Sequence, residues 1–347
     1  MTIGKTRGLS RLATANGHFT MVAVDQRPPL IAALAERLGV RRDEVPFPDM
    51  LAAKRLLVQA LAGEASAMLL DPNYAVPAAL DLLPPRSGLV LTLEDHRFEE
   101  TPGGRRSRAI AGWNVAKIRR MGGDAVKVLA WYRPDAAADI VAHQKSFIGG
   151  IGEQCRRHDI PYVLELLVYP FLRSAGHTTD DVESRDKLPE LVIESVREFA
   201  DPRYGVDLFK LESPLPAASL PPRDGGKEAQ AAQSQFDRLG AVCDKAGIPW
   251  VLLSAAAPPD QFARVLAYAY AAGASGFLAG RTIWLDAISR HYPDKSAVSD
   301  ALRRDGRKTL HRLNALTDEK ARPWTPSYSE LAQFSAEGEF ARAYSSI

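Results

Sequence analysis

Eight short runs of apolar residues recur along the chain. Each run is at most nine residues long, is rich in Val, Leu, Ile and Phe, and is bounded by Gly, Pro, Asp or Asn. Continuous apolar runs of this length are typical of parallel strands that are buried on both faces. The eight predicted strands cover residues 19–26, 67–72, 88–95, 124–132, 161–169, 206–214, 249–255 and 275–281.

Segments with helical spacing of apolar positions separate these runs. They cover residues 50–61, 113–121, 137–157, 188–199, 227–246 and 261–272, and a brief helix is predicted over 77–83. Alternating strands and helices require right-handed parallel crossovers, and eight such units return the sheet to its first strand. The pattern therefore predicts an α/β protein with a (β/α)8 TIM barrel.

Two segments fall outside this alternation. Residues 97–108 are polar and rich in Arg and Gly, which predicts either a lid over one mouth of the barrel or a plain flexible loop. Residues 295–347 predict two further helices around a break at 321–326. We expect residues 1–347 to form a single domain, with 295–347 as a C-terminal helical extension.

Composition narrows the class of protein. The 347 residues include 44 basic and 42 acidic side chains, a balance that predicts neither a nucleic-acid-binding nor a membrane-binding surface. Cys155 and Cys243 provide neither a disulfide framework nor metal-ligand spacing. The sequence shows no signal peptide and no apolar run long enough to span a bilayer, so we predict a soluble, cytoplasmic protein. The sequence is also compatible with a homo-oligomer.

Polar residues inside or just after the apolar runs are informative, because the chemistry of such barrels lies at the C-terminal ends of the strands. Five of the eight predicted strands carry them. They are Asp25, Gln26 and Arg27 in the first, Lys127 in the fourth, Glu165 in the fifth, Lys210 and Glu212 in the sixth, and Gly280 and Arg281 in the eighth.

Lys210 and Glu165 are each flanked by apolar residues. Burial disfavours the ammonium form of a lysine, and a neutral amine beside a second cation such as Lys127 is a nucleophile suited to carbonyl chemistry. The competing interpretation is that both lysines are structural ion-pair partners of Glu165, Glu212 or Asp25. For Glu165, we expect a pKa raised toward neutrality, as a proton shuttle needs.

The ends of the last two predicted strands indicate an anion site, and the spacing of the histidines indicates no metal site. Ser254, Gly280 and Arg281 lie where barrels frequently bind phosphate, and they offer a hydroxyl, a backbone amide and a guanidinium. His96 alone among the histidines follows a predicted strand, and no H-x-H or H-x3-H pair occurs. Phosphate-binding loops of nucleotide sites are also absent from the sequence, so we expect no metal and no cofactor.

These residues belong to motifs that resemble the class I tagatose 1,6-bisphosphate aldolases, with the sulfofructose-phosphate aldolases as relatives. The resemblance covers nearly the whole chain. Its motifs are AVDQR at 23–27, LLDPNYAVPA at 69–78, DAVKVLAWY at 124–132, PYVLELLVY at 161–169, DPRYGVDLFKLESP at 201–214, GFLAGRTIW at 276–284 and ARPW at 321–324.

The resemblance implies that Lys210 forms the Schiff base, that Glu165 is the acid/base and that Lys127 helps to keep Lys210 deprotonated. It implies that Asp25 contacts hydroxyls near the scissile bond. We predict that Gln26 and Arg27, which follow Asp25 at the end of the first predicted strand, bind substrate. The implied reaction is cleavage of a ketose 1,6-bisphosphate, such as tagatose 1,6-bisphosphate, to dihydroxyacetone phosphate and glyceraldehyde 3-phosphate.

One departure from the family pattern concerns the seventh predicted strand. Members typically have Ser-Ala-Gly there, whereas this chain has Ser254, Ala255 and Ala256. A Cβ on Ala256 is expected to narrow the anion pocket. Two alternatives therefore stay open, namely an aldolase or transaldolase for sulfofructose phosphate or another modified ketose phosphate, and a non-catalytic barrel that binds sugar phosphates.

Overall fold

Eight parallel strands close into a barrel, which confirms the predicted fold class. The computed structural model describes residues 1–172, 174, 177, 188–328 and 333–344. Around the barrel the strands follow the order β1-β10-β9-β8-β7-β6-β3-β2, so the last strand in the chain pairs with the first. The barrel strands are β1 Phe19–Ala23, β2 Ala67–Leu70, β3 Gly88–Thr92, β6 Ala125–Trp131, β7 Tyr162–Leu167, β8 Leu208–Leu211, β9 Trp250–Leu252 and β10 Gly276–Ala279.

Helices cover the outside of the barrel, and most lie where the spacing predicts them. Within the described residues they are α1 Ile3–Leu12, α2 Pro28–Leu38, α3 Phe47–Leu61, α4 Ala75–Ala79, α5 Val115–Arg120, α6 Ala138–Arg157, α7 Pro189–Phe199, α8 Lys227–Ala246, α9 Pro259–Ala271, α10 Arg281–His291, α11 Lys295–Ala301, α12 Arg307–Lys320 and α13 Glu339–Ala343. A π-helical turn, Leu302–Gly306, joins α11 to α12. No described helix is both long and apolar enough to cross a membrane.

The interior of the barrel is layered, because alternate residues of each strand point inward. A lower cluster of apolar side chains fills the end at which the strands begin. It comprises Phe19, Met21, Ala23, Ala67, Leu69, Val90, Ala125, Val163, Leu208, Val251 and Leu278, with Leu9 and Leu12 of α1. An upper cluster near the opposite mouth comprises Leu129, Trp131, Leu167, Tyr169 and Leu253. Between the two clusters lies a charged layer of Asp25, Lys127, Glu165 and Lys210, all buried.

The N-terminal helix α1 closes the lower end of the barrel, a role that the apolar pattern does not predict. Leu9 and Leu12 pack into the lower cluster, and the Trp324 ring contacts Phe19 at a centroid distance of 5.9 Å. Gly8 allows this close approach, since a Cβ there would lie 2.6 Å from the carbonyl oxygen of Asp124. Residues near both ends of the chain therefore seal the floor beneath the charged layer.

The segment at 97–108 differs from the flexible loop that its polarity suggests. It contains an antiparallel hairpin of β4 Glu99–Thr101 and β5 Gly104–Arg106. The Arg105 guanidinium is buried among the rings of Phe98, Trp131 and Tyr169, at 4.5, 4.5 and 4.8 Å from their centroids. Cation–π contacts of this kind fasten the hairpin to the upper cluster.

Candidate active site

Lys210 and Glu165 face each other across neighbouring strands. They are register partners in the β7–β8 pair, and Lys210 Nζ lies 2.8 Å from Glu165 Oε2. Their apolar sequence neighbours, such as Leu164 and Phe209, belong to the core between the strands and the helices. The pattern that buries these neighbours therefore directs both charged side chains into the barrel.

Lys127 Nζ contacts three carboxylates at once. It lies 2.9 Å from Asp25 Oδ2, 2.7 Å from Glu94 Oε1 and 2.8 Å from Glu165 Oε2. The same Glu165 oxygen also accepts from Lys210. The Nζ atoms of Lys127 and Lys210 thus share one carboxylate oxygen.

The electrostatic balance fixes the ionisation of this layer. Burial alone would lower the pKa of Lys127, but Asp25, Glu165 and Glu94 outweigh it and hold that pKa well above its usual range. Burial alone would raise the pKa of Asp25, but Lys127 and then Lys210 outweigh it and depress that pKa strongly. Lys127 is therefore a permanent cation at neutral pH, and Asp25 is an anion.

The raised pKa that the sequence predicts for Glu165 is wrong. Burial does favour the neutral acid, but Lys127 and then Lys210 outweigh burial and lower the pKa of Glu165. The prediction fails because the apolar neighbours in the sequence face the helices, whereas the neighbours inside the barrel are two lysines. Glu165 consequently rests as a carboxylate that can accept a proton.

Glu94 is a member of the site that sequence reasoning misses. It follows β3 by two residues, is buried, and contacts Lys127. The Arg27 guanidinium donates to the backbone oxygen of Glu94 at 3.2 and 3.3 Å. Only its position in the sequence could have indicated Glu94 as a site residue, because Glu94 ends an apolar run just as Asp25 does. Glu212, which the sequence offers as an ion-pair partner of the lysines, accepts a hydrogen bond from the backbone N–H of Val168 at 2.8 Å.

A pocket opens above the charged layer at the C-terminal ends of the strands. Its empty volume, the open mouth included, is about 870 Å³, and all nine predicted site residues line it. Several buried polar atoms at its base have no hydrogen-bond partner among the described residues. They include Asp25 Oδ1, Gln26 Oε1, Arg27 Nε and Glu94 Oε2. Such atoms can pair with the hydroxyl groups of a bound polyol.

One side of the pocket is formed by the turn after β9 and the start of α10. Ala255 and Ala256 both have left-handed backbone angles, with φ of 46° and 63°, and Ala257 N–H donates to Ser254 O at 2.8 Å. Ala255 lines the central pocket, whereas Ala256 lines a neighbouring groove along α10. The turn thus places the Ala256 side chain beside the groove, which Arg281 also lines.

Gly280 and Arg281 lie at the N-terminal end of α10, on the same side of the pocket as Ser254. A Cβ at Gly280 would lie 2.6 Å from the carbonyl oxygen of Ala23 and 2.9 Å from Gln26 Nε2. Glycine thus allows α10 to begin against the end of β1. The first N–H groups of a helix have no partners within it, so this end of α10 is suited to an anion.

His96 lines the pocket. Burial, followed by the positive charge of Arg27, lowers its pKa to about 4, so that the imidazole is neutral at physiological pH. Within the described part of the chain, no group of three His, Cys, Asp or Glu side chains could hold a metal ion.

Comparisons with known proteins agree with this architecture. A family model described as DeoC/LacD family aldolase matches residues 19–286, from β1 into α10. The tagatose 1,6-diphosphate aldolase of Listeria monocytogenes serotype 4a is 32% identical over 339 residues, which cover 95% of this chain and 96% of that protein. The enzyme of the same name from Lactococcus lactis subsp. lactis is 29% identical over 329 residues, covering 94% and 98%.

Solved structures show the same fold. An archaeal fructose 1,6-bisphosphate aldolase superposes with a TM-score of 0.57 at 17% identity, covering 90% of this chain and 99% of that one. At this identity the likeness concerns the fold alone. The family model and the Listeria relative establish more, because each covers most of the chain. The chain belongs to the DeoC/LacD family of aldolases and is a carbon–carbon lyase, as its sequence motifs predicted.

Proposed function

We propose that this aldolase cleaves a ketose 1,6-bisphosphate through a Schiff base on Lys210. The observation that carries the proposal is the geometry around Glu165 Oε2, which accepts from Lys210 Nζ and lies equally close to Lys127 Nζ. A lysine that is buried, paired with a carboxylate and adjacent to a second, fixed cation is suited to covalent catalysis on a carbonyl.

The reaction begins with proton transfer from the Lys210 ammonium to the Glu165 carboxylate. The free amine attacks the C2 ketone, and Glu165 returns the proton to the carbinolamine oxygen, which leaves as water. Electrons of the C3–C4 bond then move into the positively charged iminium, giving an enamine and an aldehyde, while the C4 hydroxyl proton passes to Glu165. Protonation at C3 and hydrolysis release the ketone and regenerate Lys210.

The surrounding residues hold substrate in this scheme. Asp25 and Glu94 present carboxylate oxygens without described partners at the base of the pocket, where hydroxyl groups near the scissile bond would donate. Gln26 and Arg27 line the same part of the pocket and bind substrate there. Ser254, Gly280 and the Arg281 guanidinium take a terminal phosphate at the start of α10.

Tagatose 1,6-bisphosphate is the proposed substrate, and dihydroxyacetone phosphate and glyceraldehyde 3-phosphate are the proposed products. Support comes from the names of the relatives, which are tagatose 1,6-diphosphate aldolases at about 30% identity over nearly the full chain. We also propose that the chain is one domain, with residues 295–347 as a C-terminal helical extension. Both cysteines are free and buried, which supports a reducing, cytoplasmic location.

Trapping with borohydride tests the chemistry. Reduction in the presence of tagatose 1,6-bisphosphate should add the mass of the reduced dihydroxyacetone phosphate fragment to one peptide, the one that contains Lys210. Lys210→Ala should neither form the adduct nor cleave the substrate. Lys227→Ala, at an exposed position on α8, serves as the control and should do both. An adduct on Lys127, or full activity in Lys210→Ala, contradicts the proposal.

A second substrate class is favoured by the turn at Ser254. Ala256, at a left-handed position, stands where tagatose aldolases typically have glycine, and it lines the groove along α10 together with Arg281. Sulfofructose phosphate, which carries a sulfonate, is the candidate. Values of kcat/KM for tagatose 1,6-bisphosphate, fructose 1,6-bisphosphate and sulfofructose phosphate discriminate the two, and comparable values for all three would support neither assignment.

A further inference from the structure

A buried lysine outside the pocket contacts the backbone on both sides of Asp25. Lys54 lies on α3, in the layer of helices, and its side chain is only 1% exposed. Its Nζ donates to the backbone carbonyls of Val24 and of Gln26, the latter at 2.8 Å. The third contact is the Asp71 carboxylate at 2.9 Å. Every donor of the ammonium therefore has an acceptor, and two of the three acceptors flank Asp25.

Asp71 is itself held in place, so Lys54 has a fixed anchor. Its carboxylate accepts from the backbone N–H groups of Asn73, Tyr74 and Ala75 at 3.0, 2.8 and 3.4 Å, at the start of α4. It is fully buried. A paired, hydrogen-bonded buried charge is expensive to displace, because moving it would leave its partners unsatisfied.

Among the described residues, few backbone hydrogen bonds hold the segment that Lys54 contacts. The ladder between β1 and β2 ends where the N–H of Val24 donates to Leu69 O. The carbonyl of Ala23 accepts from Trp284 Nε1 at 3.0 Å, and α2 begins after Arg27. Between these points the peptide units around Asp25 lie beyond the end of β1, and the Lys54 ammonium donates to two of their carbonyls.

We infer that Lys54 is a positioning residue, which acts through Asp25 by fixing the two carbonyls on either side of it. Lys54 is not among the residues that line the pocket. Its effect is to hold the Asp25 carboxylate against Lys127 and to direct its free oxygen toward the substrate hydroxyl groups. This inference rests on the proposed function for Asp25, and a displacement of about 1 Å at a reacting group is enough to lower a rate by about 100-fold.

A double-mutant cycle with Lys54→Met and Asp25→Asn tests the inference. Methionine keeps the length and volume of the chain but removes the donors. Lys54→Met should lower kcat/KM for aldol cleavage by about 100-fold in the wild-type background. In the Asp25→Asn background, Lys54→Met should change kcat/KM little, because the carboxylate through which Lys54 acts has already been removed. Equal factors in both backgrounds would overturn the inference.

A second variant and a matched control protect this test against a folding defect. Lys54→Met combined with Asp71→Asn leaves no unpaired charge and keeps an oxygen to accept from the N–H groups of α4. It should fold and show the same loss. Arg55→Met changes the next residue of α3, whose exposed guanidinium pairs with Asp81 at 2.9 Å, and should retain wild-type kcat/KM.

A crystal structure of the variant that combines Lys54→Met with Asp71→Asn separates this inference from the proposed chemistry. The Asp25 carboxylate should leave hydrogen-bonding distance of Lys127, whether or not a Schiff base forms on Lys210. If Asp25 stays within 2.9 Å of Lys127 in that structure, Lys54 does not position it. If instead the wild-type enzyme gives no adduct with borohydride, the proposed function fails while the structural result still decides the role of Lys54.

Discussion

Between the floor of the barrel and the base of the pocket, the interior has a lower half, the lower cluster, and an upper half, the charged layer. The same strands build both halves, yet the two have opposite chemistry. Ala125, Val163 and Leu208 belong to the apolar lower cluster, and two residues further along each strand lie Lys127, Glu165 and Lys210. The hydrophobic effect stabilises the lower half without directional contacts. The upper half requires each charge to find a partner. Successive inward-facing residues of one strand thus belong first to a layer that stabilises the fold and then to a layer suited to the reaction.

The largest expected effect comes from removing the shared cation of the upper half. Lys127→Met leaves Asp25, Glu94 and Glu165 close together without their common partner. We expect about 3–5 kcal/mol lower free energy of unfolding, from the uncompensated buried charge. We also expect about 10³-fold lower kcat/KM, from the lost electrostatic preorganisation. Denaturant unfolding and steady-state kinetics measure the two.

Lys117→Met is the control for that variant, because Lys117 is also a lysine but is exposed on α5. Its free energy of unfolding should change by at most about 0.5 kcal/mol. Wild-type kcat/KM in Lys127→Met would contradict the assignment of the charged layer to the reaction.

A cavity in the lower half should affect stability without affecting chemistry. Leu208 is completely buried one inward position below Lys210 on β8. Leu208→Ala should lower the free energy of unfolding by about 2–5 kcal/mol through lost burial and an unfilled cavity. Activity per site, with sites counted by borohydride trapping, should stay close to that of the wild type. A fall in activity per site comparable to that of Lys127→Met would show that the layers are not separable.

Acid sensitivity should come from the upper half. Asp25 and Glu165 have folded-state pKa values below their usual values, so each contributes stability above its unfolded pKa of about 4. That contribution is lost as pH falls from about 4 through the lower folded pKa values. Asp25→Asn should therefore flatten the decline of unfolding free energy below about pH 4, whereas Leu208→Ala should shift the whole curve down with its slope unchanged. A slope that is the same in Asp25→Asn and wild type would contradict this.

The smallest effect is expected at the rim. Arg105→Lys keeps the charge but removes the planar group that lies among Phe98, Trp131 and Tyr169. It should weaken the hairpin locally by about 1 kcal/mol. Hydrogen exchange of residues 99–106 should accelerate and KM should rise, while global unfolding barely changes. Unaltered exchange would show that the backbone hydrogen bond from Arg105 N–H to Tyr169 Oη suffices.

The eight strands and the main helices could be predicted from sequence because each pattern is local. A strand buried on both faces needs continuous apolar residues, and Lys210 inside such a run is conspicuous. The helix α1 could not be recognised as the floor of the barrel, since its role depends on a contact with residues far along the chain. The hairpin was missed because its strands are short and polar, and its stability comes from Arg105 among rings of other strands.

The rest of the site depends on partners that are distant in sequence. Lys54 looks like any surface lysine on an amphipathic helix until Asp71 and the Val24 carbonyl are placed beside it. The pKa of Glu165 could not be assigned from its neighbours in sequence, because two lysines from other strands converge on it. Residues 178–187, which come between β7 and α7 in the sequence, lie outside the described part of the chain.

The pairing of β1 with β10 has a consequence for synthesis. Phe19 leaves the ribosome long before its register partner Gly276 does. Until then β1 has one edge without a neighbour, and unpaired edges invite association between nascent chains. Closure of the ring is accordingly a late event with high contact order, and it should limit the rate at which newly made enzyme becomes active.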